Sequence, residues 1–262
     1  MTSLCFPKNP LNLGDHIRTA DPSAHVWADG KMYLYTPHDE ECQPDFFMKN
    51  WHVFSSSDLV NWTDHGPCLS VDNLSWADNY AWAPDCAYKK NGKYYFCFPA
   101  GTGIKDRKNP ENSTKWMGIG IAVGDSPAGP FTDAIGGPLW TESYANDPCL
   151  FIDGNGKGDI YFHGGGDWLV GEMADDLLSI KSEFYKMDMG GYKLKMEGPW
   201  VFKRNTIYYF TMPENNKIIT YYMGNSPKGP WKYQGVIMKA EGGNNHHSIV
   251  EFKGQWILSQ MA

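Results

Sequence analysis

Three carboxylic acids, Asp21, Asp147 and Glu197, stand at matching places in a chain that repeats itself, each directly before Pro or Gly-Pro. Asp85 (or Pro84 beside it) and His246 take the corresponding place in two further units, and the five positions are separated by 64, 62, 50 and 49 residues. Hydrolysis of a glycosidic bond needs two carboxyl groups in opposed states: one ionised to draw a proton from water, one protonated to serve the leaving oxygen. A third carboxylate beside the acid raises its pKa by like-charge repulsion and helps to orient it. Singly, Asp-Pro and Glu-Gly-Pro are ordinary turn initiators. Recurrence at one place in a repeating unit is what points to a shared site.

The surrounding residues show what must position these groups. Asp21-Pro22-Ser23-Ala24-His25-Val26-Trp27 leads through Asp29-Gly30 into Lys31-Met32-Tyr33-Leu34-Tyr35. Trp82-Ala83-Pro84-Asp85-Cys86-Ala87-Tyr88 leads through Asn91-Gly92 into another aromatic run, and Asn146-Asp147-Pro148-Cys149-Leu150 leads through Asp153-Gly154-Asn155-Gly156. The unit of Glu197 enters Trp200-Val201-Phe202, and that of His246 turns at Lys253-Gly254. Asp-Gly and Asn-Gly between strand-like runs predict hairpins. A second theme, Ser57-Asp58-Leu59, Asp125-Ser126-Pro127 to Phe131 and Asn225-Ser226-Pro227 to Trp231, closes most units. Units of this length hold about four strands, the size of a propeller blade. The expectation is one all-β domain over residues 1–262, a five-bladed β-propeller whose leading residues meet at one end of a central channel. Only four residues follow Leu258, so a shortened fifth blade with an exposed edge is expected, open to self-association.

Composition agrees with many short strands: 28 Gly and 17 Pro punctuate a chain that is 15% aromatic. A net charge of −7 without a basic stripe argues against a nucleic-acid partner, and no apolar run is long enough to span a membrane. The N-terminus lacks the apolar core of a signal peptide, which suits an intracellular protein or one whose export signal has been removed. The six cysteines show no metal-like spacing, and Cys86 and Cys97 read as core residues. The segment His38-Asp39-Glu40-Glu41 reads as a solvated acidic loop, and Gly101 to Trp116 as an extended polar one.

Taken in order, Ala20-Asp21-Pro22-Ser23-Ala24-His25, Trp82-Ala83-Pro84-Asp85, Asn146-Asp147-Pro148, Glu197-Gly198-Pro199-Trp200 and Asn245-His246-His247-Ser248 resemble glycoside hydrolase family 43, in its β-xylosidase and α-L-arabinofuranosidase branch. The resemblance implies a five-bladed propeller and hydrolysis with inversion at the anomeric carbon. It implies Asp21 as general base, Glu197 as general acid and Asp147 as modulator of that acid. It further implies that His246, rather than His247, faces substrate and a hydrated calcium ion, with water supplying most of the oxygen ligands that calcium prefers. Trp82 is the aromatic expected to stack on a sugar; Trp27, Trp51, Trp140 and Trp168 read chiefly as blade packing. The expected partner is a pentose-containing oligosaccharide or polysaccharide, with β-xylosidase action ahead of α-L-arabinofuranosidase. The alternative is a sugar-binding propeller without catalysis.

Overall fold

The turn dipeptides set the fold. Gly30, Gly92, Gly156 and Gly254 all take positive φ, between 75° and 85°, a backbone region that glycine enters without strain, and each closes a hairpin where the sequence places one. The protein is described by a computed structural model covering residues 17–39, 47–89, 91–102, 116–140, 142, 144–191, 198–215, 217–239 and 246–260.

Four antiparallel sheets follow one another, each a meander of four strands in sequence order. The first holds β1 (Ser23–Val26), β2 (Met32–Pro37), β3 (Asn50–Ser56) and β4 (Trp62–Ser70). The second holds β5 (Asp85–Lys89), β6 (Lys93–Thr102), β7 (Trp116–Gly124) and β8 (Thr132–Asp133). The third holds β9 (Ala145–Ile152), β10 (Gly158–Gly164), β11 (Asp167–Glu172) and β12 (Tyr185–Lys186). The fourth holds β13 (Trp200–Arg204), β14 (Ile207–Glu214), β15 (Ile218–Gly224) and β16 (Lys232–Lys239). A hairpin of β17 (His247–Phe252) and β18 (Gln255–Gln260) follows, and among the described residues β18 pairs with β17 alone. The sheets are blades of a β-propeller: β1 packs on both β5 and β17, β9 on both β5 and β13, and β13 on β17. No described helix is long and apolar enough to cross a membrane.

The core lies between blades rather than within one layer. Tyr35, Trp51 and Val53 of the first sheet meet Phe96, Phe98 and Phe131 of the second. Ile119 and Ile121 meet Leu150, Ile160 and Phe162, Tyr161 and Trp168 meet Phe210, Tyr222 and Trp231, and Ala24, Leu34 and Phe54 meet Phe252. A middle strand is thus covered on both faces, which is why β2 is buried along its whole length without alternation. Cys68, Cys86, Cys97 and Cys149 are free thiols buried in these layers, and burial pushes their pKa values up.

The closing turns of the units clasp the preceding blade. The Tyr35 hydroxyl donates to the Pro127 carbonyl at 2.7 Å, and two blades on Tyr161 donates to Pro227 at 2.5 Å. Beside them the Phe131 amide donates to Cys68 and the Trp231 amide to Asp188, both at 2.9 Å.

The innermost strands are joined in a closed circuit of side-chain hydrogen bonds. Ser23 Oγ of β1 donates to Asp85 Oδ1 of β5 at 2.7 Å, and Leu150 N of β9 to Asp85 Oδ2 at 2.7 Å. Val201 N of β13 donates to Cys149 Sγ at 3.4 Å, and Trp200 Nε1 to the Ile249 carbonyl of β17 at 2.8 Å. Ala24 N returns to Ser248 Oγ at 3.0 Å.

Candidate active site

The five inner strands run the same way around the axis, so residues at their N-terminal ends share one mouth. Asp21 lies two residues ahead of β1 with φ 46°, a left-handed conformation that Asp tolerates better than most side chains. Asp147 is the third residue of β9 and has φ 50°. Its conformation has a local cause. The β9–β10 register jumps between Cys149↔Tyr161 and Asn146↔His163, so Asp147 and Pro148 together oppose Phe162. This is a β-bulge, a device that re-aims a side chain, and Pro148 has no amide hydrogen to leave unpaired.

His246 sits immediately ahead of β17, with its Nε2 3.4 Å from Asp147 Oδ2. The next residue, His247, points into the blade, fully buried, with Nε2 2.7 Å from the Thr211 hydroxyl. Burial pushes its pKa down to about 3. Strand alternation thus separates two adjacent histidines, and only the first faces the acids. Gly198, ahead of β13, has φ 89°, and a β-carbon there would lie 3.0 Å from His246 Cδ2 and Nε2. Glu197 lies outside the described residues.

Burial pushes the Asp21 carboxyl up to about 6; His246 opposes this, and the charges of Asp147 and Asp39 add to it. Asp21, Asp147 and His246 therefore act on one another as a single electrostatic group, in which the Asp21 carboxyl is held at about 6. Asp85 does not join them. Besides Ser23 and Leu150, it accepts from its own neighbour Cys86 N at 2.8 Å and lies 2.7 Å from His25 Nε2. Of the two candidates for the second leading position, Asp85 and Pro84, Asp85 is corrected here: it is turned into the fold and spends its oxygens tying β1 to β9.

Trp82 is partly buried, with its ring edge-on to Tyr80 at 5.0 Å and its carbonyl accepting from Trp51 Nε1 at 2.6 Å. Trp51 and Trp168 are core side chains, Trp140 packs on the layer between the second and third blades, and Trp27 lies at the other end of the channel, past β1. The His38-Asp39 pair is not the solvated loop expected of it. Asp39 is partly buried, its amide donates to the Arg18 carbonyl at 3.0 Å, and burial raises its own pKa. Residues 40–41 and 103–115 lie outside the described residues.

Among the described residues no group of three or more His, Cys, Asp or Glu side chains is arranged to hold a metal. One imidazole beside two carboxylates does not make the oxygen-rich cage that calcium takes from protein alone.

A family model described as glycosyl hydrolases family 43 matches residues 8–261. The chain belongs to this family. As a family 43 member it is a glycoside hydrolase. It is 34% identical to a xylosidase/arabinosidase of Bacteroides ovatus, over 96% of this chain and 87% of that one. It is 32% identical to a β-xylosidase of Xylanibacter ruminicola, over 91% and 86%. Among solved structures, a family 43 β-xylosidase/α-arabinofuranosidase from a compost microbial metagenome, in complex with xylotriose and calcium-free, superposes with TM-score 0.82 at 34% identity, covering 94% of this chain and 86% of that one. A family 43 enzyme of Xanthomonas citri complexed with xylose gives TM-score 0.81 at 31% identity, covering 94% and 82%.

Two residues near Asp21 and Asp147 carry no mark in the repeat. Asp39 reaches Asp21 from beyond the end of β2, and His163 on β10, its pKa lowered by burial, is held up in part by Asp147. Both arrive by strand pairing, His163 as the register partner of Asn146. The signal that finds them is the predicted hairpin carried one strand further.

Proposed function

We propose that this family 43 hydrolase removes terminal xylose or arabinose from xylan-type oligosaccharides or polysaccharides with inversion, β-xylosides ahead of α-L-arabinofuranosides. Asp21 acts as general base on water, Glu197 as general acid on the leaving oxygen, and Asp147 tunes and orients the acid. Trp82 stacks on the sugar and His246 contacts it. The β17–β18 hairpin is the inner half of a fifth blade of one propeller domain. The observation that carries the reading is the grouping of Asp21, Asp147 and His246 at one mouth, with Asp21 pushed up to about 6. A general base is most effective with a pKa near the working pH. The relatives named for xylosidase and arabinosidase activity, and the neighbour bound to xylotriose, support the substrate class.

Hydrolysis of aryl β-xyloside and aryl α-arabinofuranoside by wild type, Asp21→Asn and Glu197→Gln tests the assignment. Wild type turns over the xyloside faster and both variants lose activity by 10²-fold or more; an inert wild type, or variants that match it, overturns the proposal. Proton NMR of the first-formed sugar reads the stereochemistry, and a retained anomer refutes inversion. Calcium facing His246, with water filling most of its shell, is proposed for the same mouth; activity indifferent to chelation and calcium return removes it.

A further inference from the structure

The C-terminal ends of the inner strands open on a cavity of about 330 Å³, at the mouth opposite the acids. Trp27 follows β1, Tyr88 lies near the end of β5, Phe151 near that of β9, Phe202 on β13 and Trp256 on β18, and all five rings line it. Each keeps part of its surface in solvent. From Asp21 to Trp27 the chain spans six residues, roughly 20 Å at about 3.3 Å per residue. The hydrogen-bonded circuit lies between, with Ser23, Asp85, Cys149 and Ser248 all 2% exposed or less. The two mouths therefore do not share a ligand.

The rings are held as platforms. Trp27 stacks on His25 with centroids 4.9 Å apart and planes 6° apart, and Phe202 stacks on Tyr209 at 4.9 Å and 8°. Among the described residues that line the cavity Lys203 is the cation, and it is spent on Asp153 at 2.8 Å, while Glu251 on the rim is exposed. The Arg204 guanidinium lies 5.8 Å from the Trp256 ring centroid, so one face of that ring already has a cation beside it. The rings and the exposed Glu251 together suit a neutral ligand with an apolar face for the rings and hydroxyls for the carboxylate, sized for the small end of ligand pockets. Pyranose and furanose rings have that character.

We infer that this far mouth is a second carbohydrate site, which holds a stretch of pentose chain while the acid mouth works on a chain end. The choice of pentose rests on the function proposed above; the site itself rests on the cavity and its rings. Affinity electrophoresis in gels containing soluble arabinoxylan reads binding, and turnover of aryl β-xyloside reads the acid mouth. Trp256→Ala and Glu251→Ala should lose retardation at least threefold with kcat and KM on the aryl glycoside unchanged, and Trp256→Phe should recover it. Asp21→Asn should lose turnover and keep retardation. Glu251 is exposed, so its variant reports on binding even if Trp256→Ala unfolds. Retardation untouched by Glu251→Ala and Trp256→Ala, abolished by Asp21→Asn, or relieved by tetramethylammonium instead of xylotriose overturns the inference. An inert wild type that still shows mouth-dependent retardation removes the proposed activity and leaves this site standing.

Discussion

Ionising Asp21 is at once what a base requires and a charge on the stability of the fold. Its folded pKa of about 6 lies above the 3.8 of the exposed group, so the folded state holds the proton more tightly. Stability is then full below pH ~4 and falls as pH rises through 6, by about 3 kcal/mol at ~1.4 kcal/mol per pKa unit. Asp21→Asn, which tolerates the same left-handed backbone, should therefore raise the melting temperature at pH 7 while abolishing turnover, and the gain should vanish at pH 4; a variant less stable than wild type at pH 7 contradicts the burial argument. The acid limb of kcat/KM is expected near pH 6, and Asp147→Asn, which removes a charge that holds the carboxyl up, should move the limb of its residual activity to lower pH. At this scale the repeat makes Asp21, Asp147 and His246 legible as a group. It does not separate Asp85 from them, because spacing locates a residue only to within one or two places along a strand. One place decides whether a carboxylate opens on the channel mouth or turns into the blade contact.

Elements explain how the blades are kept in order. The repeated Ser-Pro turns look like simple punctuation in the sequence, and their partners, Tyr35 and Tyr161, lie 92 and 66 residues away. Tyr161→Phe removes a donor from a carbonyl at a blade contact and should cost about 1–2 kcal/mol, read as a lower midpoint in urea with kcat on an aryl glycoside kept; an unchanged midpoint would show the clasp to be incidental. Hairpins were legible here because Asp-Gly and Asn-Gly carry their own φ preference. The bulge at Asp147 was not, since two residues opposing one is a property of a strand pair. Only the Asn-Asp-Pro triplet hints at it.

At the scale of the molecule, the interblade core was foreshadowed by aromatic richness and by strands without alternation, but the circuit of links between inner strands was not. It joins Ala24 to Ser248 across 224 residues, and no local pattern encodes such a pair. Two of its links hold β17, one from Ser248 and one from Trp200. Ser248→Ala or Trp200→Phe alone leaves the hairpin tethered on one side, so the double variant should lose more than the two single costs combined. Hydrogen exchange of the β17 amides checks this; strict additivity would show that packing alone retains the hairpin.

The same circuit makes the acid mouth a cul-de-sac. Among the described residues Asp85, Ser248 and Cys149 are buried at the waist between the two mouths, so under the proposed action at chain ends a released sugar is expected to back out through the opening by which the next chain end arrives. Traffic at that opening is single file. Free pentose should accordingly inhibit in competition with substrate, raising KM and leaving kcat unchanged, and a purely noncompetitive pattern would mean that product has another way out.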